Sequence, residues 1–491
     1  MQTDARAALE AWQASRPANV YDALPTLARG LQAHAGTDVA ASLEPRLHAL
    51  GADVAQVVDP AAALQEQARD YPRLSGSEIE FHPAHDEAGR AVWRHGGVGA
   101  SAFEQAAQMI LLSYAGEAGQ GCPFTCTAGL VRALREHGSD ELRARFLPPL
   151  LETDYEAAHR GAQFLTEVQG GSDVGANETA AIADGDAWRL HGEKWFCSVA
   201  DADQFVVTAR PRGASDGTAG LGCFLVPRRV DGAPNGFRIR KLKDKLGTRL
   251  LATAEIEFDG ALAYPIGALE DGFRIAVGSV LNTSRWLNAC GSAGLMWRAW
   301  LEASSFARHR TAFGRPIADF ALVRDTLDAI EAEAQAAQAS TLALTALVDR
   351  LDRDPGDDEA RGLHRFLVNA NKFVTSRAAT EVVHRAIETL GGNGTIEDFS
   401  PLPRLYRDAI VFESWEGTHN VLVEQVRRDA ARFELVPLVL ADVRSRLDAP
   451  VLDELERSTK RALDDPVAFR DLLVQLMRAY QASYVEDVVA V

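Results

Sequence analysis

Four short segments place chemistry-bearing side chains at spacings that suit a bound ligand, and the pivotal residue is a carboxylate in the last of them. Glu416 lies within Phe412 to Asn420 (FESWEGTHN), between an aromatic residue and a glycine. A carboxylate flanked in this way can act as a general base beside a flat cofactor. Much earlier, Thr166 to Asp173 (TEVQGGSD) offers glycines that let a backbone approach a ligand and hydroxyls that can bond a polar ring edge. Alone, it is an ordinary glycine-rich turn. Lys194 to Ser198 (KWFCS) carries two aromatics that give flat apolar contact, or that equally belong to a core strand. Arg310 to Pro316 (RTAFGRP) joins a guanidinium, suited to bidentate contact with a pyrophosphate, to a glycine that releases the chain from a helix. Solvated arginines are also common near helix ends.

The elements that must position these groups follow from where the hydrophobic period changes. Residues 1 to 75 are rich in Ala and Leu and punctuated by Pro17, Pro25, Pro45 and Pro60, which predicts short helices separated by breaks. A helical pattern returns from Ala100 to Leu150, with Gly116, Gly119 and Gly121 marking a turn. Short runs between 161 and 268, such as Phe205 to Ala209 and Cys223 to Val226, are divided by Gly, Asp, Asn and Pro and read as a compact β domain. Long helical patterns then cover Phe273 to Thr311, Ala318 to Arg353 and Glu359 to Leu390, the last two parted by the acidic loop Asp354 to Asp358. The order is α, β, α, an α+β multidomain chain without a Rossmann fingerprint.

Composition bounds the function. The chain has 491 residues and a net charge of -18, which argues against general affinity for nucleic acid or anionic membrane. No apolar run approaches the roughly 20 residues that span a bilayer, and the acidic start lacks a signal peptide's pattern, so the expected location is cytoplasmic. Cys122, Cys126, Cys197, Cys223 and Cys290 are odd in number and scattered, reading as packing residues rather than disulfides or a metal site.

Taken together, the four segments resemble the acyl-CoA dehydrogenase superfamily of flavoproteins. That resemblance implies an N-terminal helical domain, a central β domain and a C-terminal four-helix bundle, with extra terminal helices. The expected boundaries are 1–75, 76–160, 161–272, 273–431 and 432–491. It further implies FAD, an acyl-CoA substrate, a homotetramer and electron-transfer flavoprotein or a similar acceptor. Leu165, Thr166, Gly171 and Ser172 then become flavin neighbours, with Ser172 also near CoA. Phe196 takes the ring-stacking position and Ser198 the hydroxyl. Arg310 and Phe313 match residues that bind the FAD diphosphate of a neighbouring subunit, and Leu390 to Gly394 resembles an LGGxG turn at FAD. The cofactor set thus extends to Glu388, Gly391, Gly392, Thr418 and Asn420. Ala321 and Glu388 stand where many members carry glutamines, so the grip on the adenosine half is altered. In the dehydrogenases the residue matching Glu416 removes the α-proton of an acyl thioester while a hydride leaves to flavin N5. Arg285 matches an arginine near that base and the CoA path, and Trp415 is a candidate substrate contact with Trp286 and Phe124. Some branches place the base on the first long helix, where this chain has Ser284, leaving Glu416 as the candidate.

Phe81 to Pro83, Gly121 to Thr125, Leu242 to Gly247 and Leu402 to Arg407 look like the alkylation-response (AidB-like) branch. Its link to DNA protection, with weak dehydrogenase activity, is the rival reading. DNA binding there is attributed to a basic C-terminal region, whereas residues 432–491 hold eight Lys or Arg against eleven Asp or Glu. The tail instead reads as two amphipathic helices, the second near Val467 to Val485, packed on the body or at a subunit contact. One basic run remains, from Arg238 to Arg249, open to solvent, CoA phosphates, an acceptor protein or nucleic acid.

Overall fold

The computed structural model describes residues 5–489. Packing sorts the chain into two compact units, one of residues up to Asp59, Ser101–Gly116 and everything from Arg285, the other of Pro60–Ala100 and Glu117–Ser284.

The second unit holds a sheet of seven strands: β1 Gly161–Phe164, β2 Ala180–Asp184, β3 Ala187–Ser198, β4 Gln204–Pro211, β5 Gly222–Pro227, β6 Phe237–Leu242 and β7 Thr253–Pro265. Their order is β6-β7-β3-β2-β4-β1, and β5 pairs with both β4 and β7, closing β7, β3, β2, β4 and β5 into a ring. Strand β7 serves so many neighbours because it bends at bulges after Ala254 and Asp259, the latter on Gly260 with φ 77°. Strands β4 and β5 are apolar and buried throughout Phe205–Val207 and Cys223–Val226, which explains their unbroken apolar runs. The helix Gly121–His137 lays Leu130, Val131 and Leu134 on a core with Val206, Leu225, Ile266 and Val280.

The first unit is a helical bundle: α1 Asn282–His309, entering this unit at Arg285, α2 Ala321–Arg353, α3 Asp358–Leu390, α4 Leu402–Ser414 and α5 His419–Phe433. The acidic loop stops α2 and starts α3: Asp357 accepts the Ala360 N–H at 2.9 Å and the Arg350 guanidinium at 2.7 Å. Helix α3 packs against α2, α4 and α5, so its residues from Phe366 to Phe373 are all buried.

The terminal segments depart from the sequence expectation. Pro45 and Pro60 are not breaks, since Pro45 lies inside the helix Thr37–Asp53 and Pro60 is the second residue of Asp59–Gln67. Buried Ala40, Leu43, Leu47 and Leu50 hold the first helix across its proline, and a widened turn, Val54–Val58, precedes the second. The C-terminal tail has three helices, not two: Leu435–Val443, Ala449–Ala462 and Pro466–Tyr484. The unforeseen first has no polar face to reveal a helical period, burying Leu435, Val436, Val439, Leu440 and Val443. The tail packs on the body, with Pro466–Tyr484 against α2 and α5. The N-terminal helix Pro25–Ala35 also lies on α2, where Thr26 donates to Gln338 at 3.2 Å. In the same unit, buried Arg298 bonds Asp59 at 2.9 Å and Glu302 at 3.0 Å and covers the Tyr114 ring at 3.8 Å. Among the described residues no helix is long and apolar enough to cross a membrane.

Candidate active site

Glu416 stands in the turn between α4 and α5 with φ 59°, the left-handed region that ordinary side chains avoid. Gly417 follows at φ 112°. Two buried cations hold this turn by its carbonyls. Arg285 of α1 donates from Nε to the Glu416 carbonyl at 2.9 Å and from its terminal nitrogen to Asn369 at 2.7 Å and Gln425 at 3.3 Å. Lys372 of α3 donates to the carbonyls of Glu413 at 2.8 Å and Gly417 at 3.0 Å. Burial pulls Arg285 down to about 10 against the opposing pull of Glu416. Burial likewise pulls Lys372 down to about 7, opposed by Glu416 and assisted by Arg285. Trp415 stacks on Phe412 at 4.7 Å, and its indole nitrogen is buried without a partner. Trp286 is a core residue that bonds Thr345 at 2.9 Å. Thr418 and Asn420 lie exposed at the start of α5. Of the residues singled out from the sequence, Glu416, Arg285 and Trp415 stand together here; Lys372, a lysine inside an apolar stretch of α3, was not among them.

In the β unit, Thr166 and Trp195 are joined through the Trp195 N–H and the Thr166 carbonyl at 2.9 Å. A buried ion pair shapes the segment: Lys194 donates to Glu167 at 2.6 Å and to the Leu165 carbonyl at 3.1 Å, and Glu167 accepts the Glu178 N–H at 2.7 Å. Burial pushes the Glu167 carboxyl up, but Lys194 and the other donors outweigh it and hold the group below its usual range. Phe196 projects with 54% of its surface exposed, and Ser198 bonds Thr253 at 3.0 Å. Gly171 and Ser172 are exposed, and a Cβ on Gly171 would meet only the Thr166 methyl at 3.5 Å. Ser284 is bonded to Gln163 at 3.1 Å.

The remaining expected contacts occupy helix ends of the bundle. Arg310 is exposed directly after α1, and Phe313, at φ 53° and 96% exposed, forms the tip of the hairpin pairing Thr311–Ala312 with Arg315–Pro316. Glu388 is exposed in the last turn of α3, and Cβ atoms on Gly391 or Gly392 would meet nothing within 4 Å.

Outside these clusters the chemistry is quiet. All five cysteines are buried and free, and burial pushes the Cys223 thiol up to about 12. Three of the six cations of the basic run are paired with acids, Arg238 with Glu257, Arg240 with Glu193 and Lys243 with Glu255, and Lys243 also sits 3.3 Å above the Trp195 ring. Among the described residues no group of His, Cys, Asp or Glu could hold a metal ion.

Comparison with known proteins agrees along almost the whole chain. The acyl-CoA dehydrogenase C-terminal domain matches residues 270–431, the acyl-CoA dehydrogenase middle domain 162–261, and the N-terminal domain of the adaptive response protein AidB 13–157. The putative acyl-CoA dehydrogenase AidB of Escherichia coli K12 is 34% identical over 402 residues, 75% of this chain and 70% of that one. Acyl-CoA dehydrogenase family member 11 of Caenorhabditis elegans is 33% identical over 371 residues, 73% of this chain, and the match spans 59% of the nematode protein. Two solved structures share the fold: Bd2924 in its apo form, with TM-score 0.90, 27% identity and coverage of 96% of this chain and 98% of that one, and C. elegans ACDH-11 in complex with C11-CoA, with TM-score 0.85, 26% identity and coverage of 94% and 86%. The chain belongs to the acyl-CoA dehydrogenase family. It carries, in addition, the N-terminal domain that characterises AidB.

Proposed function

We propose that the protein is an FAD-dependent dehydrogenase that converts an acyl-CoA to its 2,3-enoyl thioester, with Glu416 as the general base. The observation that carries this reading is the Glu416 turn, a glutamate held left-handed by Arg285 and Lys372 on its flanking carbonyls. Such strain persists where surrounding structure over-determines it, and it concentrates at functional sites. Proton removal leaves enolate-like charge on the thioester, and a fixed base beside hydrogen-bond donors is what that step needs.

The residues present fit a flavin. Within the β unit, Phe196 offers an exposed flat ring, Ser198 a hydroxyl two residues along the same strand, and Gly171 an open backbone where a Cβ would meet only Thr166. When bound, FAD supplies the acceptor for the β-hydrogen as hydride. Arg310 and Phe313 suit contact with the FAD of a second subunit, since the hairpin tip presents the phenylalanine ring outward, 96% exposed, beside an exposed guanidinium. The family resemblance supports a homotetramer and reoxidation by electron-transfer flavoprotein or a similar acceptor. An acyl-CoA ligand is supported by the relative solved with C11-CoA.

The AidB-type N-terminal domain favours one rival, a DNA-associated protection protein with weak dehydrogenase activity. The cross-strand pairing of the basic run and the acidic tail weigh against it. The test is an anaerobic panel of acyl-CoAs, followed by flavin absorbance with products identified by mass spectrometry. Bleaching with formation of the enoyl-CoA supports the dehydrogenase, and a flavin that no acyl-CoA reduces rejects it.

A further inference from the structure

We propose that Lys372 is a positioning residue for Glu416, holding through its ammonium the two carbonyls that bracket the glutamate and so fixing where the carboxyl group stands. This rests on the reading of Glu416 as the base. Lys372 is fully buried on α3, between Asn371 and Phe373. An ammonium taken out of water carries a penalty of several kcal/mol, so its place in this bundle calls for partners that compensate. Its partners are the Glu413 carbonyl in the last turn of α4, which has no helical donor of its own, and the Gly417 carbonyl just past the glutamate. Arg285 takes the carbonyl between them, that of Glu416 itself. Residues 413, 416 and 417 are therefore tied by two cations from two different helices. That is the over-determination a left-handed glutamate requires.

The same ammonium also shapes the field at the turn. The charged groups that bear on it are Glu416, Glu413 and Arg285, and burial, with Lys372 and Arg377 adding to it, pulls His419 of α5 down to about 4, so that His419 is neutral at working pH. With burial drawing Lys372 itself down to about 7, its charge varies within the working range.

The test compares the FAD-loaded parent with Lys372→Met, which keeps an unbranched apolar chain one atom shorter and removes the donors. The expected result is unchanged FAD content and acyl-CoA affinity, a limiting rate of anaerobic flavin reduction lower by roughly a hundredfold, and loss of any inflection near pH 7 from its pH profile. Amide exchange of residues 413–418 rises by about tenfold or more in the same variant. A parental limiting rate, or unchanged exchange in that segment, overturns the proposal. If no acyl-CoA reduces the parent flavin, the dehydrogenase reading fails, and amide exchange alone still decides the role of Lys372. Should the methionine variant not fold, Lys372→Leu, which also lacks donors, takes its place with the same measurements.

Discussion

A glutamate in the left-handed region costs on the order of 1 kcal/mol relative to a residue that tolerates it, and the turn between α4 and α5 accepts that cost at Glu416. The residue was legible because its neighbours Trp415 and Gly417 set it apart. Lys372 was not: a lysine in a helix reads as solvated, and only the packing of α3 against α2, α4 and α5 shows that water is excluded. Glu167 and Lys194 hid in the same way, as charges within motifs chosen for their glycines and aromatics. Buried histidines yield a prediction at this scale. His85, stacked on Phe81 at 4.0 Å, is drawn by burial from 6.5 down to about 4. Because the folded value lies below the unfolded one, the unfolded chain takes the proton first as pH falls. Stability is full above about pH 6.5 and is lost progressively towards pH 4. Between pH 7 and 5 this group should cost on the order of 2 kcal/mol, so thermal melts at the two pH values should diverge less in His85→Gln than in the parent.

Among the elements, the long helices were legible because their apolar period persists and their ends carry strong signals. The expected start of α3 at Glu359 lies one residue from the observed Asp358, since Asp357 caps it. The strands emerged from short apolar runs, but closure of five of them into a ring was not readable, because it depends on bulges in β7 that no local pattern announces. Prolines misled where buried faces held a helix together, as at Pro45. Close helix packing supplies a second prediction. A Cβ on Gly294, within α1, would stand 2.3 Å from the Ile110 carbonyl oxygen on the helix Ala102–Leu112. Alanine gains about 1 kcal/mol of helix propensity over glycine, yet forced overpacking costs about 1–3 kcal/mol, and a backbone atom has little room to yield. Gly294→Ala should therefore lower the denaturant midpoint, whereas propensity alone would raise it.

For the molecule as a whole, charge decides which partners fit. With a net charge of -18, an acidic tail and three of the six cations of the basic run paired with Glu193, Glu255 and Glu257, charge does not favour a phosphate backbone. No mobility shift of duplex DNA is expected at physiological salt, and a shift that weakens steeply with added salt would revive the DNA-associated reading. The dehydrogenase reading depends on Glu416 removing a proton from the α-carbon, and a single measurement reaches that step. Parent and Glu416→Gln, both loaded with FAD, are mixed anaerobically with an acyl-CoA that reduces the parent, and flavin bleaching is followed with α-deuterium exchange. The account predicts that the glutamine variant stays yellow and loses both signals by a factor of roughly a thousand or more. Bleaching and exchange at the parental rate would contradict it.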